Sequence, residues 1–299
     1  MARTLRGNEA THIVVDEAAF VDPKLIEETL WPMLATTDGQ MTLISTPNGH
    51  NAFWKFFDRG KKQDEEAWSR QAPSSESPRV SPRFLAAQKE LVSERAFAVE
   101  YEAQFMDSEG AVFRSEAIDQ CLTTETEEHR GPYLIGVDWA RYSDYTVLIV
   151  LSGTRERARL IEMKRMTKTG WTEQIDILAD IVARYPGARI LCDGNAVGDK
   201  MNDDFRAACP KASLDGFVFT AQSKPKLIDN LVALMERGRL LIPPDPILLK
   251  ELKAFHWING KLEGANEHDD TVIALALAAL NLPTENSGEI MVGKTRSFG

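Results

Sequence analysis

A chain of 299 residues with 43% hydrophobic and 27% charged side chains can bury a sizeable core and is too apolar to be disordered. Its net charge of −10, from 35 basic and 45 acidic residues, argues against a protein that coats nucleic acid. That charge leaves room for an enzyme whose acids hold metal ions against a phosphodiester. No run reaches the ~18 apolar residues of a membrane span, and the first ten residues carry no signal-peptide core. Cys121, Cys192 and Cys209 are scattered without CxxC spacing, which argues against a zinc site and fits a reducing cytoplasm.

The first predicted element is a strand over His12 to Val15, ending in Asp16-Glu17. A helix is expected from about Lys24 to Leu34, with Pro23 suited to its first turn. A second strand, Met41 to Ile44, runs into Ser45-Thr46-Pro47-Asn48-Gly49, where Pro-Asn-Gly signals a turn. Both strands are short apolar runs ending in polar residues, as at the carboxyl edge of a parallel sheet. Residues 72–83, with three prolines and four serines, read as a loop, and a helical pattern follows from Pro82 to Glu102. A polar stretch over residues 107–131 places a domain boundary near Glu109-Gly110.

The second half alternates strands and helices. Strands are expected at Tyr133–Val137, Tyr145–Leu151, Arg159–Met163, Arg189–Cys192, Phe217–Thr220 and Arg239–Ile242. Helices are expected at Thr172–Arg184, Val197–Ala208, Pro225–Arg237, Asp245–Phe255 and His268–Leu280. This order predicts a mixed sheet flanked by helices. Residues 283–299 read as a polar tail.

Asp138 and Asp193 each end an apolar strand, and Asp269 and Asp270 open the last helix. Singly, each reads as a strand terminus or as an acid suited to a helix dipole. Together they read differently. If the strands ending in Asp138 and Asp193 are neighbours, their carboxylates emerge side by side, and the last helix can deliver a third. Converging carboxylates repel one another until a cation joins them. Oxygen-only ligands favour Mg²⁺ or Mn²⁺, and two such ions can cleave a phosphodiester. Of the adjacent acids, Asp270 is the expected closer ligand. Asp144 is either a further ligand or a turn residue. His268 is either a base or phosphate contact, or an exposed helix start. Lys200 and Lys224 either face phosphates or are ordinary solvated lysines.

The segment Ile13-Val14-Val15-Asp16-Glu17 has the form of a Walker B motif, in which the Asp serves Mg²⁺ and the Glu polarises water. Its plain alternative is a strand capped by acids. Ser45 and Thr46, ending the next strand, are candidates to sense a γ-phosphate. No G-x-x-x-x-G-K-[ST] phosphate loop occurs in the chain, so ATP hydrolysis by this chain alone is not expected.

The order of these motifs resembles the large subunit of a tailed-phage or prophage terminase. The segments His12–Phe20 and Leu43–Gly49 resemble the later part of its ATPase. Phe97–Tyr101, Phe105 and Gly110–Phe113 continue the likeness. Gly136–Ala140 with Asp144, Asp193-Gly-Asn with Gly198, and His268-Asp-Asp-Thr resemble its nuclease domain. The resemblance spans about residues 5–282. It implies a partial P-loop ATPase sheet over 1–109 and an RNase H-like nuclease over 110–282, with 283–299 as a tail. It further implies Asp138, Asp193, Asp269 and Asp270 as ligands of two Mg²⁺ or Mn²⁺ ions that cut concatemeric double-stranded DNA. Asp16 and Glu17 become the Walker B pair, and Ser45 and Thr46 belong to the motif coupling hydrolysis to movement. ATP is expected only in a complete member of the family. Portal protein and the small terminase subunit are the implied partners, in the bacterial cytoplasm and away from membranes. A second reading is a non-catalytic remnant or assembly subunit. A third is a resolvase- or transposase-like nuclease, against which the Walker B-like segment counts.

Overall fold

The computed structural model describes residues 8–62, 66–106, 110–125, 131–140, 145–195, 197–258, 261–264 and 268–285. The chain divides into two compact units: residues 1–110 with 258–260, and residues 111–257 with 261–299.

In the first unit, β1 (His12–Val15) and β2 (Gln40–Leu43) run parallel, in register from His12 beside Gln40 to Val15 beside Leu43. Between them, residues 23–34 are helical but irregular. Pro23–Leu25 is α, Ile26–Leu30 is π and Trp31–Leu34 is 3₁₀. Pro23 opens the run and Asp22 caps it by accepting the Lys24 N–H. Pro32 has no N–H to donate, so the regular α ladder cannot continue through it. Helix α1 (Ala52–Lys61), unforeseen in the sequence, is capped by Asn51, whose side chain accepts the Trp54 N–H and donates to the Ala19 carbonyl. The single helix expected over Pro82 to Glu102 is two, α2 (Pro82–Leu91) and α3 (Glu94–Glu100). Val92 and Ser93 are extended, and the Ser93 hydroxyl caps the new start by accepting the Ala96 N–H.

The second unit opens with α4 (Ser115–Cys121), also unforeseen. Its sheet holds β3 (Tyr133–Asp138), β4 (Thr146–Gly153), β5 (Ala158–Met166), β6 (Arg189–Asp193), β7 (Ser213–Phe217) and β8 (Leu240–Leu241). The spatial order is β7-β6-β3-β4-β5-β8. β3, β4 and β5 form an antiparallel meander, while β6, β7 and β8 join in parallel. The helices are α5 (Trp171–Arg184), α6 (Val197–Ala208), α7 (Ser223–Glu236), α8 (Pro246–Ala254) and α9 (Asp270–Leu280). One correction concerns β7. The strand expected at Phe217–Thr220 lies earlier, because Val218–Thr220 turn into α7, with the Ser223 hydroxyl donating to the Val218 carbonyl and receiving the Thr220 N–H. Two further short strands, Phe255–Ile258 and Lys261–Gly264, follow α8 where none was expected.

Alternation along the strands sorts the core into two layers. Leu134, Val147, Ile149, Leu151 and Leu191 pack against α7, α8 and α9. Ile135, Val137, Leu148, Val150, Ile190 and Cys192 pack against α5 and α6. The sheet is thus covered on both faces, and α9, apolar nearly all round, is buried along its length. Its backbone lies directly on β3. A Cβ added at Gly136 would meet the Ala274 carbonyl oxygen at 2.0 Å and the Ala278 nitrogen at 2.5 Å.

Candidate metal centre

The sheet brings Asp138 and Asp193 to neighbouring positions. β3 and β6 are parallel partners, with Val137 beside Cys192, and each strand's next residue is the aspartate. Adjacent strands lie ~4.8 Å apart. Asp138 alternates with Gly136 and Leu134, and Asp193 with Leu191, so both stand on the face that α9 covers.

The start of α9 lies at the same end of the sheet. Asp138 pairs with Val147 of β4, and Tyr145 just precedes that strand. The Tyr145 ring meets the His268 imidazole edge-on, with centroids 5.0 Å apart. His268 leads directly into Asp269 and Asp270. Asp270 is buried, with Oδ2 3.6 Å from His268 Nδ1. Asp269 is partly exposed, and its Oδ2 lies 3.3 Å from the Nζ of Lys224 at the start of α7. Asp144 lies outside the described residues. Lys200 sits elsewhere, its Nζ 5.0 Å from the Trp171 ring centroid, beside the helices of the opposite face.

Asp193 is the acid whose environment is most telling. Its Oδ1 accepts the Asn195 N–H at 2.8 Å, which favours the charged form, but burial outweighs this and pushes its carboxyl above the ordinary range. Both strand ends are pinned. Asn202 of α6, fully buried, receives the Trp139 Nε1–H on its Oδ1 at 3.0 Å and donates from Nδ2 to the Asp193 carbonyl at 3.0 Å. The Ala140 N–H donates to Thr146 Oγ1 at 2.8 Å, and that hydroxyl donates to buried Gln174. Among the described residues, no three His, Cys, Asp or Glu side chains form a gathered metal-binding group.

Two residues here escaped the sequence reading. Glu251 is almost wholly buried (3% exposed) in α8, and Asn202 is as buried in α6. A signal existed for Glu251. It shares the spacing of Leu248, Leu252 and Phe255, the apolar stripe of its helix.

The first unit assembles its own polar edge. Ala18 N–H donates to the Ile44 carbonyl, and Ala19 N–H donates to Ser45 Oγ at 3.1 Å. Asp16 Oδ1 accepts the Glu17 N–H, and Glu17 adopts a left-handed conformation at φ 53°. Asp16, Glu17 and Ser45 therefore share the carboxyl end of β1 and β2, with half-buried Thr46 next in the chain. Among the described residues, no helix is long and apolar enough to cross a membrane.

Two family profiles cover most of the chain. Residues 135–282 match "Terminase RNaseH-like domain", and residues 1–120 match "Terminase large subunit, T4likevirus-type, N-terminal". The terminase large subunit of Thermus virus P23-45 is 27% identical over 92% of this chain. This chain spans 62% of that relative's length. The crystal structure of the large terminase nuclease from thermophilic phage G20c with bound magnesium is 27% identical, with a TM-score of 0.50. That match covers 57% of this chain and 97% of the nuclease. The large terminase of a second thermophilic bacteriophage, solved in complex with ADP and 10% identical, shares the fold with a TM-score of 0.69 over 94% of this chain and 71% of that one.

Proposed function

The chain belongs to the terminase large-subunit family, and we propose that its second unit is a divalent-metal-dependent DNA endonuclease that cuts concatemeric viral DNA during packaging. One observation carries the reading. Asp138 and Asp193 end neighbouring parallel strands on the face covered by α9, whose first residue is Asp270. The donors suit the ion. They are all carboxylate oxygens, the preference of Mg²⁺ and Mn²⁺. Asp193 carries a burial cost that a bound cation would offset.

Asp138, Asp193 and Asp270 would hold the ions, with Asp269 as the second acid of the helix start and Asp144 as a further donor. Two bound ions supply an activated water and a stabilised leaving oxygen. The chain's own residues supply the orientation. The sheet fixes two acids at one spacing, and the helix sets the third by its first turn. Lys224 balances Asp269, limiting the repulsion among neighbouring acids. His268, half-exposed beside Asp270, would contact a DNA phosphate in this reading. In the first unit, Asp16 and Glu17 are assigned as the Walker B pair, and Ser45 and Thr46 as its coupling partners. Portal protein and a small terminase subunit are the proposed protein partners.

A second reading has its own support. Val14 and Ile44, on or beside the paired strands of the first unit, are 58% and 53% exposed. Such a surface suits a subunit that docks on another chain without cutting DNA. The discriminating experiment incubates supercoiled plasmid with the chain and Mg²⁺ or Mn²⁺, and in parallel with Asp138→Asn. Metal-dependent nicking that falls at least ~100-fold in the variant is expected, since the variant removes a ligand of the ions that activate the water. Equal cleavage by both, or none by either, rejects the nuclease reading, and the second outcome favours the docking subunit.

A further inference from the structure

The start of α9 is capped in an unusual way. A helix that begins with an aspartate at its N-cap ordinarily uses that carboxylate to accept the N–H of the second or third helical residue. Asp269 occupies the N-cap of α9 and makes no such bond, pairing with Lys224 instead. The second helical residue is Thr271, and its N–H donates to Glu251 Oε2 at 2.8 Å. The Thr271 hydroxyl donates to the same oxygen at 2.5 Å. The cap is therefore supplied by a neighbouring helix, α8.

Glu251 is held in turn. Its Oε1 receives Arg165 Nη2 from β5 at 3.2 Å. The Arg165 guanidinium lies over the Tyr145 ring at 3.3 Å from the centroid, and that ring meets His268. The chain of contacts runs Thr271–Glu251–Arg165–Tyr145–His268, closing on the residue before Asp269. A carboxylate buried this deeply requires both a cation and hydrogen-bond donors. Glu251 has Arg165 as the cation, and an N–H and a hydroxyl as donors.

We infer that Glu251 is a positioning residue that caps α9 from outside, so that the Asp269 carboxylate is not consumed by the helix start and stays on Lys224 beside the candidate cation site. What the helix start holds rests on the nuclease reading; the cap itself rests on the hydrogen bonds. Arg165 balances the charge of Glu251, so this further acid near the site adds no net repulsion to it. Without Glu251, the Thr271 N–H would be left for the Asp269 side chain to take, turning that carboxylate inward and away from Lys224.

The test uses the full chain and Glu251→Gln. An amide side chain has one acceptor oxygen, so it serves Thr271 or Arg165 but not both. Two quantities are read at a temperature where the variant is folded by circular dichroism: Mn²⁺ affinity by calorimetry, and amide hydrogen exchange at Thr271. The expected result is an affinity about tenfold or more weaker, the scale of groups that support metal ligands from behind, with faster exchange at Thr271. Thr271→Val removes the hydroxyl contact and keeps the N–H, and is expected to lose affinity by a smaller factor. It also serves if Glu251→Gln does not fold. A lower melting temperature with unchanged Mn²⁺ affinity in either variant overturns the positioning role. Glu251→Ala leaves the Thr271 N–H no acceptor on α8, and unchanged exchange at Thr271 in that variant overturns the cap. If the unsubstituted chain binds no Mn²⁺, the nuclease reading and the positioning role fall together, while the exchange arm still decides the cap.

Discussion

Asn202 shows how single residues fix the strand ends that carry the candidate ligands. Trp139 directly follows Asp138, so its indole N–H anchors the end of β3, and the Asp193 carbonyl is the end of β6. Asn202 ties the two together with one amide. The indole and the amide are both buried, so removing the amide leaves an indole donor without its acceptor. An unsatisfied buried polar group costs about 1–3 kcal/mol. Asn202→Ala is expected to destabilise the second unit by that amount, seen as a lower urea midpoint with an unchanged slope. Plasmid cleavage should fall as well, because the relative position of Asp138 and Asp193 is no longer fixed. An unchanged midpoint would mean that water replaces the amide at no cost.

At the scale of elements, the backbone of α9 lies directly on β3. Gly136 permits it, since its missing Cβ leaves room for the Ala274 carbonyl. This packing matters beyond stability, because α9 carries Asp269 and Asp270 while β3 carries Asp138. Gly136→Ala forces the helix away from the strand or distorts both. Overpacking of this kind costs about 1–3 kcal/mol or more. The expected outcome is a lower melting temperature together with loss of metal-dependent cleavage. Melting temperature and cleavage both at wild-type levels would show that α9 sits further from β3 than these distances say.

Much of this element plan was readable from local pattern. Strands such as Tyr133–Asp138 and helices such as Val197–Ala208 declare themselves through apolar runs, periodicity and polar ends. The acids at those ends were readable for the same reason, since a carboxylate after an apolar strand stands out. Their adjacency was not, because parallel pairing of β3 with β6 is a long-range fact that no local pattern carries. Glu251 and Arg165 were hidden differently. The apolar stripe of its helix marks Glu251 as buried, but only the fold shows that acid accepting from Thr271 while facing Arg165. The break at Val92–Ser93 was also missed, because apolar spacing runs through it and the Ser93 cap interrupts the helix without changing that spacing.

Across the whole molecule, the two units differ in how their sheets are covered. The large sheet of the second has six strands with a buried apolar layer on each face. Such a unit has its own core and can fold by itself. Among the described residues, the first has a parallel pair, and its strongly buried apolar residues are few: Val15, Ala18, Ala19, Ile26, Leu34 and Phe97. Parallel strands are ordinarily buried on both faces, and a two-stranded sheet is marginal in water. Local opening should therefore be easier in the first unit, and proteases cut where chains open. Limited trypsin digestion of the full chain is expected to degrade residues 1–110 first. It should leave a resistant fragment that begins shortly after the division at residue 110 and retains α9. Mass spectrometry of the fragment gives its ends, and its circular dichroism should show a cooperative melt. Survival of an N-terminal fragment after the C-terminal one is gone would place the stable core in the wrong unit. It would also remove the basis for treating residues 111–282 as a nuclease that folds on its own.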